Sequence, residues 1–387
     1  MHPVTIVFGK EIRDATRDKR ALLVAFGFPV LAPVLVYFMM TAIIELKMDA
    51  EKITIPIVGA QNAPAFIQWL EEQDVRLEEF SGDAEQAVRD KEQDLVVIIP
   101  GNYQRRLNEL RTISIEIVSD GSRTASQPTV GRVHNLIRDY NREIASLRLI
   151  ARGVSPEVMR VVISQTVDVA TKQQRTATAL NFIPLYIIMA AFVSGMGLAV
   201  DSTAGERERK TLESLIINPV ERYQIITGKW LAATIFASLG MTLTLLLCIA
   251  AMSQVSLDEI GLKFHVTTPQ IFLMLIATLP LAFLVTSMQL LLGIFAKSFK
   301  DAQSYIGLLT LLPVLSLVYT MFSPIRTEEW MFAIPMLGQH LLLVDVLGAK
   351  DVPLIGYFYS AISCLVLGMA LVLVTARLFQ RESILSN

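Results

Sequence analysis

Charge is what this sequence has least of. Of its 387 residues only 18% are Asp, Glu, Lys or Arg, against roughly 25% in soluble domains. The formal net charge is -2 and no basic domain or tail stands out, so nothing points to nucleic acid as a partner. The two cysteines, Cys248 and Cys364, both sit in apolar runs and read as small buried hydrophobes, so no disulfide framework is expected. The histidines His2, His134, His265 and His340 are scattered without metal-ligand spacing, and neither a metal nor a cofactor is assigned. No G-x-x-x-x-G-K-[ST] loop occurs. "TGKW" at Thr227–Trp230 lacks the glycine-rich approach and the hydroxyl, so the chain is not read as an ATPase and no catalytic residue is assigned.

What is abundant is apolar length. Hydrophobic residues make up 53% of the chain and mean hydropathy is +0.50. Residues 21–44, 180–200, 225–252, 271–295, 305–322 and 354–376 are each close to the roughly 20 apolar residues that a spanning helix needs. The expected fold is therefore an α-helical integral membrane protein with about six transmembrane helices. Residues 21–44 are too long for a signal-peptide core, and Pro29 and Pro33 predict a kink there. Residues 328–353 are apolar but interrupted by Pro335 and Gly338, which fits a short external hairpin better than a seventh span.

Lys and Arg cluster before the first run, between the second and third, between the fourth and fifth, and after the sixth. Six spans put all four clusters on one side, so the N- and C-termini are expected in the cytoplasm of an inner-membrane protein. Residues 377–387 become a cytoplasmic tail, and residues 45–178 an extracytoplasmic domain inserted between the first and second spans. That insert alternates strand-like and helix-like pieces: "ITIPIVG", "APAFIQWLEEQ", "VRLEEF", "DAEQAVRDKEQ", "LVVIIP" and "TISIEIVSD". It reads as a large α/β domain. Val133, Ile137, Tyr140, Ile144 and Leu147 then form one seam of an amphipathic helix. Gly153 ends that helix, and Ser155–Glu157 caps the next. The acidic pairs Glu71–Glu72 and Glu78–Glu79 read as solvated surface.

The densest short run of alternating charge, "GERERKTLESLIINPVERYQIITGKW" from Gly205 to Trp230, falls between the second and third spans. Thr203 and Glu206 have capping-box spacing, and Glu206 and Lys210 an i,i+4 pairing. Leu212, Leu215 and Ile216 make an apolar ridge that Pro219 terminates. A solvated topological loop would explain the charges. A docking helix for a cytoplasmic partner would explain both charges and ridge. At the N-terminus, Val4, Phe8 and Ile12 make a stripe flanked by Lys10, Arg13, Arg17, Lys19 and Arg20 over residues 1–20. A lipid-surface anchor or a partner contact fits it equally. Inside the spans, away from their ends, the polar residues are essentially uncharged, which argues against a proton relay and weakens a direct sodium site. Most read as helix-packing groups. Asn181, Thr286 and Gln289 are the candidates for a translocation path.

These residues resemble the type 2 ABC exporter permeases. Their loop signature runs roughly E-[RK]-E-x-G-T-[LM]-E-x-L-x-x-x-P followed by G-K. Glu206, Arg207, Glu208, Thr211, Leu212, Glu213, Leu215, Pro219, Gly228 and Lys229 fall on it, with Arg209 at a variable position and Lys210 where the family usually has Gly. "FGKEIRDATRDKRAL", carrying Phe8, Lys10, Glu11, Arg13, Arg17 and Arg20, resembles the family's leading cytoplasmic helix. "IPMLGQHLLLVDVL" resembles its external hairpin. The large insert is most similar to the sodium-efflux branch. The resemblance implies a permease, not itself an enzyme, that pairs with a second permease subunit as a homodimer and with separate ABC ATP-binding subunits. The loop 201–224 and the leading helix would sit on the ATPase and pass its closure to five spans within residues 179–376, by alternating access. The substrate would be sodium or another cation; export of a lipid, drug or peptide suits the same architecture. A non-transporting membrane sensor is the alternative from a different class.

Overall fold

The computed structural model describes residues 2–51, 54–73, 75–123, 126–159, 169–211, 220–322, 327–350 and 352–379. They fall into two units. Residues 1–41 and 169–387 make the helical unit, and residues 42–168 the other.

The smaller unit follows from period-2 apolar patterning. Its four strands are β1 (Thr54–Val58), β2 (Arg76–Glu79), β3 (Leu95–Ile98) and β4 (Glu116–Ser119). They lie in the order β2-β1-β3-β4, with β1 parallel to both neighbours and β4 antiparallel to β3. Leu95 and Val97 point to one face and Val96 to the other, so each face has its own core. Phe66 and Leu70 of one covering helix and Val133 and Tyr140 of another fill the first face, while Ala84 and Val88 cover the second. A six-residue helix at Tyr103–Asn108 lies outside the sequence reading. The seam of the long helix Gln127–Ile150 runs from Val133 to Ile144, and Leu147 is exposed. Gly153 takes a left-handed φ of 70° that closes this helix. Among the described residues a 3₁₀ turn follows at Pro156–Met159, with the Ser155 hydroxyl accepting from Glu157 N–H; the rest of the helix expected after Ser155 lies outside the described residues.

The helical unit begins with α1, Pro3–Arg17, and with α2, Lys19–Glu51, whose residues up to Thr41 belong to it and which has Pro29 and Pro33 inside. The smaller unit holds α3 (Pro64–Glu71), α4 (Ala84–Arg89), α5 (Tyr103–Asn108) and α6 (Gln127–Ile150). Then follow α7 (Lys172–Ala179), α8 (Phe182–Val200), α9 (Glu206–Glu208), α10 (Arg222–Met252) and α11 (Thr268–Phe295). The chain ends with α12 (Phe299–Leu309), α13 (Leu312–Phe322), α14 (Leu337–Leu347) and α15 (Leu354–Leu378). Among the described residues six helical stretches are long and apolar enough to cross a membrane. The 11-residue α14 is too short for that. One expectation changes: the fifth stretch is two helices, α12 and α13, because Pro313 in the first turn of α13 has no N–H to continue the ladder.

Small residues let the central helices approach. A Cβ at Gly240 of α10 would collide with Ser194 Oγ of α8. That hydroxyl donates 2.7 Å to the Ala25 carbonyl of α2, joining three helices at one point.

Candidate coupling site

The second span does not stop at Val200. The helix continues through a π turn, Asp201–Gly205, into α9. The Thr203–Glu206 capping box is therefore absent: a continuing helix has no orphaned N–H groups to cap. Thr203 is buried instead, and its hydroxyl donates 2.6 Å back to the Ala199 carbonyl.

The four charges that follow each go to a different place. Glu206 turns inward. Its Oε1 lies 2.6 Å from Lys10 Nζ of α1, and its Oε2 lies 2.7 Å from Lys229 Nζ of α10. Glu11 completes the group, with Oε1 3.0 Å from Lys229 and 3.1 Å from Lys10. Two ammonium groups and two carboxylates thus form a neutral quartet. Glu11, Glu206 and Lys229 are 2%, 3% and 1% exposed, a burial tolerable only because each charge is paired. Burial works against the charge on the half-exposed Lys10, but its bonds to Glu206 and Glu11 hold its pKa above that of an ordinary lysine. The expected Glu206–Lys210 pair is thus replaced by long-range partners. Lys229, which the sequence offered as the second residue of the G-K pair, is fully enclosed.

Arg207 reaches α11. Its guanidinium donates 2.8 Å to the Ala296 carbonyl and 2.6 Å to that of Ile294, groups a helix C-terminus leaves free. Glu208 accepts 2.8 Å from the Phe299 N–H at the start of α12. One arm therefore holds both ends of the α11–α12 turn. Arg209 folds back onto Asp201 at 2.7 Å.

Lys210 then adopts a left-handed φ of 57°. The Thr211 N–H bonds the Glu206 carbonyl at 3.0 Å and the Lys210 N–H bonds that of Arg207 at 3.0 Å. That is a Schellman ending, in which the left-handed residue is usually glycine. The departure of Lys210 from the family pattern leaves this geometry intact and puts a side chain on a strained backbone. Lys210→Gly is expected to raise stability by about 0.5–1 kcal/mol, read as a higher midpoint of thermal unfolding. The Thr211 hydroxyl also donates to Glu206 O, at 3.2 Å. Leu212, Glu213, Leu215 and Pro219 lie outside the described residues.

α1 is delivered to this site by packing. Pro3 starts it, and Val7, Glu11 and Ala15 recur at i,i+4 on its buried face, with Phe8 and Ile12 partly covered beside them. Gly228 permits the approach, since a Cβ there would lie 2.8 Å from Val7 Cβ and 3.0 Å from the Val4 carbonyl. The G-K pair thus acts twice: Gly228 admits α1 and Lys229 holds it. Arg13, Arg17 and Arg20 remain exposed.

The three residues read as a translocation path sit in two groups of helix contacts. Gln289 Nε2 donates 2.7 Å to the Phe192 carbonyl of α8, and the Thr286 hydroxyl lies 2.8 Å from that of Thr234. Asn181 donates 3.1 Å to Thr320 Oγ1 and lies 3.0 Å from Nε2 of the buried His340. His340 was missed as a partner because only the fold brings α14 beside Asn181. Among the described residues no group of His, Cys, Asp and Glu could hold a metal ion.

Among the described residues, six helical stretches of membrane length, joined at one end by buried ion pairs and helix-end contacts, define a multi-pass membrane protein. Comparison with known proteins gives the class its name. Residues 19–378 match the family described as ABC-2 family transporter protein, and the chain belongs to that family. It is 27% identical over 349 residues to the ABC transporter permease protein NatB of Bacillus subtilis (strain 168), covering 88% of this chain and 89% of that one. It is 24% identical over 152 residues to the probable multidrug ABC transporter permease YbhR of Escherichia coli (strain K12), covering 39% of each. The chain is thus a transmembrane subunit of ABC transporter type, and its relatives are permease subunits.

Proposed function

We propose that this chain is the permease subunit of an ATP-driven exporter, moving its substrate by alternating access while a separate ATP-binding subunit hydrolyses ATP. The observation that carries the reading is the quartet of Lys10, Glu11, Glu206 and Lys229. It ties α1, α9 and the head of α10 into one block, and α9 and α10 flank residues 212–219 in the sequence. A push delivered to that loop would move three elements together, and through Arg207 and Glu208 the α11–α12 turn as well.

In this reading the block faces the cytoplasm of an inner-membrane protein, with both termini on that side. The α/β unit lies across the membrane, and two permease copies pair as a homodimer. Exposed apolar side chains such as Leu23, Leu308, Phe322 and Leu354 meet lipid or the second copy. Sodium is the substrate implied by the resemblance of the insert to the sodium-efflux branch. Export of a drug, lipid or peptide is the second reading. The uncharged span interiors favour it, and one relative's name, probable multidrug permease, agrees with it.

The test is co-purification with candidate ATP-binding subunits, with ATPase rates for wild type, Leu212→Asp and Glu213→Ala. Wild type should retain an ATPase subunit, and the variants should lose about tenfold in retention or stimulated rate, as expected for a central apolar or charged contact. Failure of wild type to retain any such subunit, or variants that behave like wild type, would remove the proposal.

A further inference from the structure

A cavity of about 350 Å³ opens beside the quartet, between α1, the first turns of α2, the last turns of α8 and the start of α12. That volume suits a small organic molecule. Its wall is apolar over Val24, Ala25 and Leu198, with the rings of Phe236 and Phe299 among the lining residues. Gly197 also lines it, and a Cβ added there would meet nothing within 4 Å, so the hollow reaches the backbone of α8.

Charge in the lining is unequal. Glu11, Asp14, Asp18 and Asp201 supply carboxylates, and Arg20 and Arg209 supply guanidinium groups. Arg209 is occupied by Asp201 at 2.7 Å, and Glu11 by the two lysines. Asp14 has Lys10 only at 3.8 Å, while that ammonium lies closer to Glu206 and Glu11. Asp18 Oδ1 accepts from the Arg20 and Ala21 N–H groups, which fixes it at the N-terminus of α2. The rim is thus left with two carboxylates against one exposed guanidinium, that of Arg20.

We infer that this cavity binds monovalent organic cations with a bulky apolar body. The body leaves water for the apolar wall. The charge is placed near aromatic rings and two carboxylates, which attract it. An anion of the same size meets the same wall and the opposite field. The inference rests on the transporter reading only in making this ligand class a candidate cargo; the binding itself needs no ATPase subunit.

The test is equilibrium dialysis of tetraphenylphosphonium and of tetraphenylborate, ions of like size and opposite charge. The full chain is held in phosphatidylcholine nanodiscs, with empty nanodiscs subtracted. The cation should bind one site per chain, with the borate about tenfold weaker or more. Gly197→Phe, which fills the cavity without a backbone clash, should weaken cation binding about tenfold or more. Asp14→Asn with Asp18→Asn should weaken it several-fold, about threefold or more, while asparagine keeps the cap on α2. Equal binding of the two ions would overturn the inference, as would undiminished binding by Gly197→Phe. If Gly197→Phe does not fold, the double Asp variant decides: unchanged cation binding there overturns it. Lost binding with ATPase coupling intact removes this inference alone. Intact, cavity-dependent binding without any ATPase partner supports it and removes the transport reading alone.

Discussion

Lys229→Met is expected to destabilise the chain by about 3–5 kcal/mol, the usual cost of stripping one partner from a buried ion group. Methionine matches the stem in length and fills the space, so packing changes little. What remains is two carboxylates, Glu11 and Glu206, facing a single ammonium on the half-exposed Lys10. Neither can move to water without detaching α1 from α10 or unwinding the end of α8. Thermal unfolding in detergent should show a large drop in midpoint, and limited proteolysis should cut α1 early. Adding Glu11→Gln to Lys229→Met restores neutrality and should recover more than half of the loss, because one carboxylate then faces the one ammonium of Lys10 and no buried charge is left unpaired. A double variant no more stable than Lys229→Met would show that the quartet is not electrostatically coupled.

Arg207→Met is expected to cost about 1.5–3 kcal/mol, the range for hydrogen bonds from a charged donor. The side chain donates to two carbonyls that end α11, and Ala296, which owns one of them, is fully buried. Removing the guanidinium leaves those carbonyls without it; Glu208's bond to the Phe299 N–H and the packing of Ala204 on Ala296 and Ala302 remain. Hydrogen exchange at Phe295–Asp301 should rise sharply while exchange in the middle of α11 stays slow. In a reconstituted complex, substrate-stimulated ATPase should fall more than basal ATPase. Arg207→Lys should recover stability only in part, since one ammonium cannot span both carbonyls as the planar fork does. Equal exchange in wild type and Arg207→Met would mean that the turn is held by packing alone.

The sequence was most legible where one local pattern decides the outcome. Apolar length located the six membrane-length stretches, though not the break of the fifth into α12 and α13, and strand-like alternation located β1, β2, β3 and β4. Interruption by Pro335 and Gly338 marked residues 328–353 as too broken to span, and α14 is indeed short. The site was half legible. Its residue types were visible, but their partners were not, because Lys10 and Glu206 are 196 residues apart and Glu11 and Lys229 are 218 apart. Local rules therefore supplied local partners, a capping box and an i,i+4 pair, that the fold does not use. A better clue was present: Glu11 lies at i,i+4 between Val7 and Ala15, a charge on a face that is otherwise apolar. The left-handed Lys210 was flagged only by the glycine usual at that place. The π turn left no trace in hydropathy, since every one of Ser202, Thr203, Ala204 and Gly205 is compatible with an ordinary buried helix.

That turn makes chain length part of the site. A residue in an α-helix advances about 1.5 Å and turns about 100°. The π turn, with its i→i+5 bonds, holds about one residue more than an α turn and so absorbs it. Deleting one residue from Asp201–Gly205 would let α8 run unbroken into α9 and leave Glu206, Arg207 and Glu208 facing nearly as before. Deleting one from the regular helix just ahead, with the turn kept, would swing all three by about 100° and disable the arm, although composition would register almost nothing.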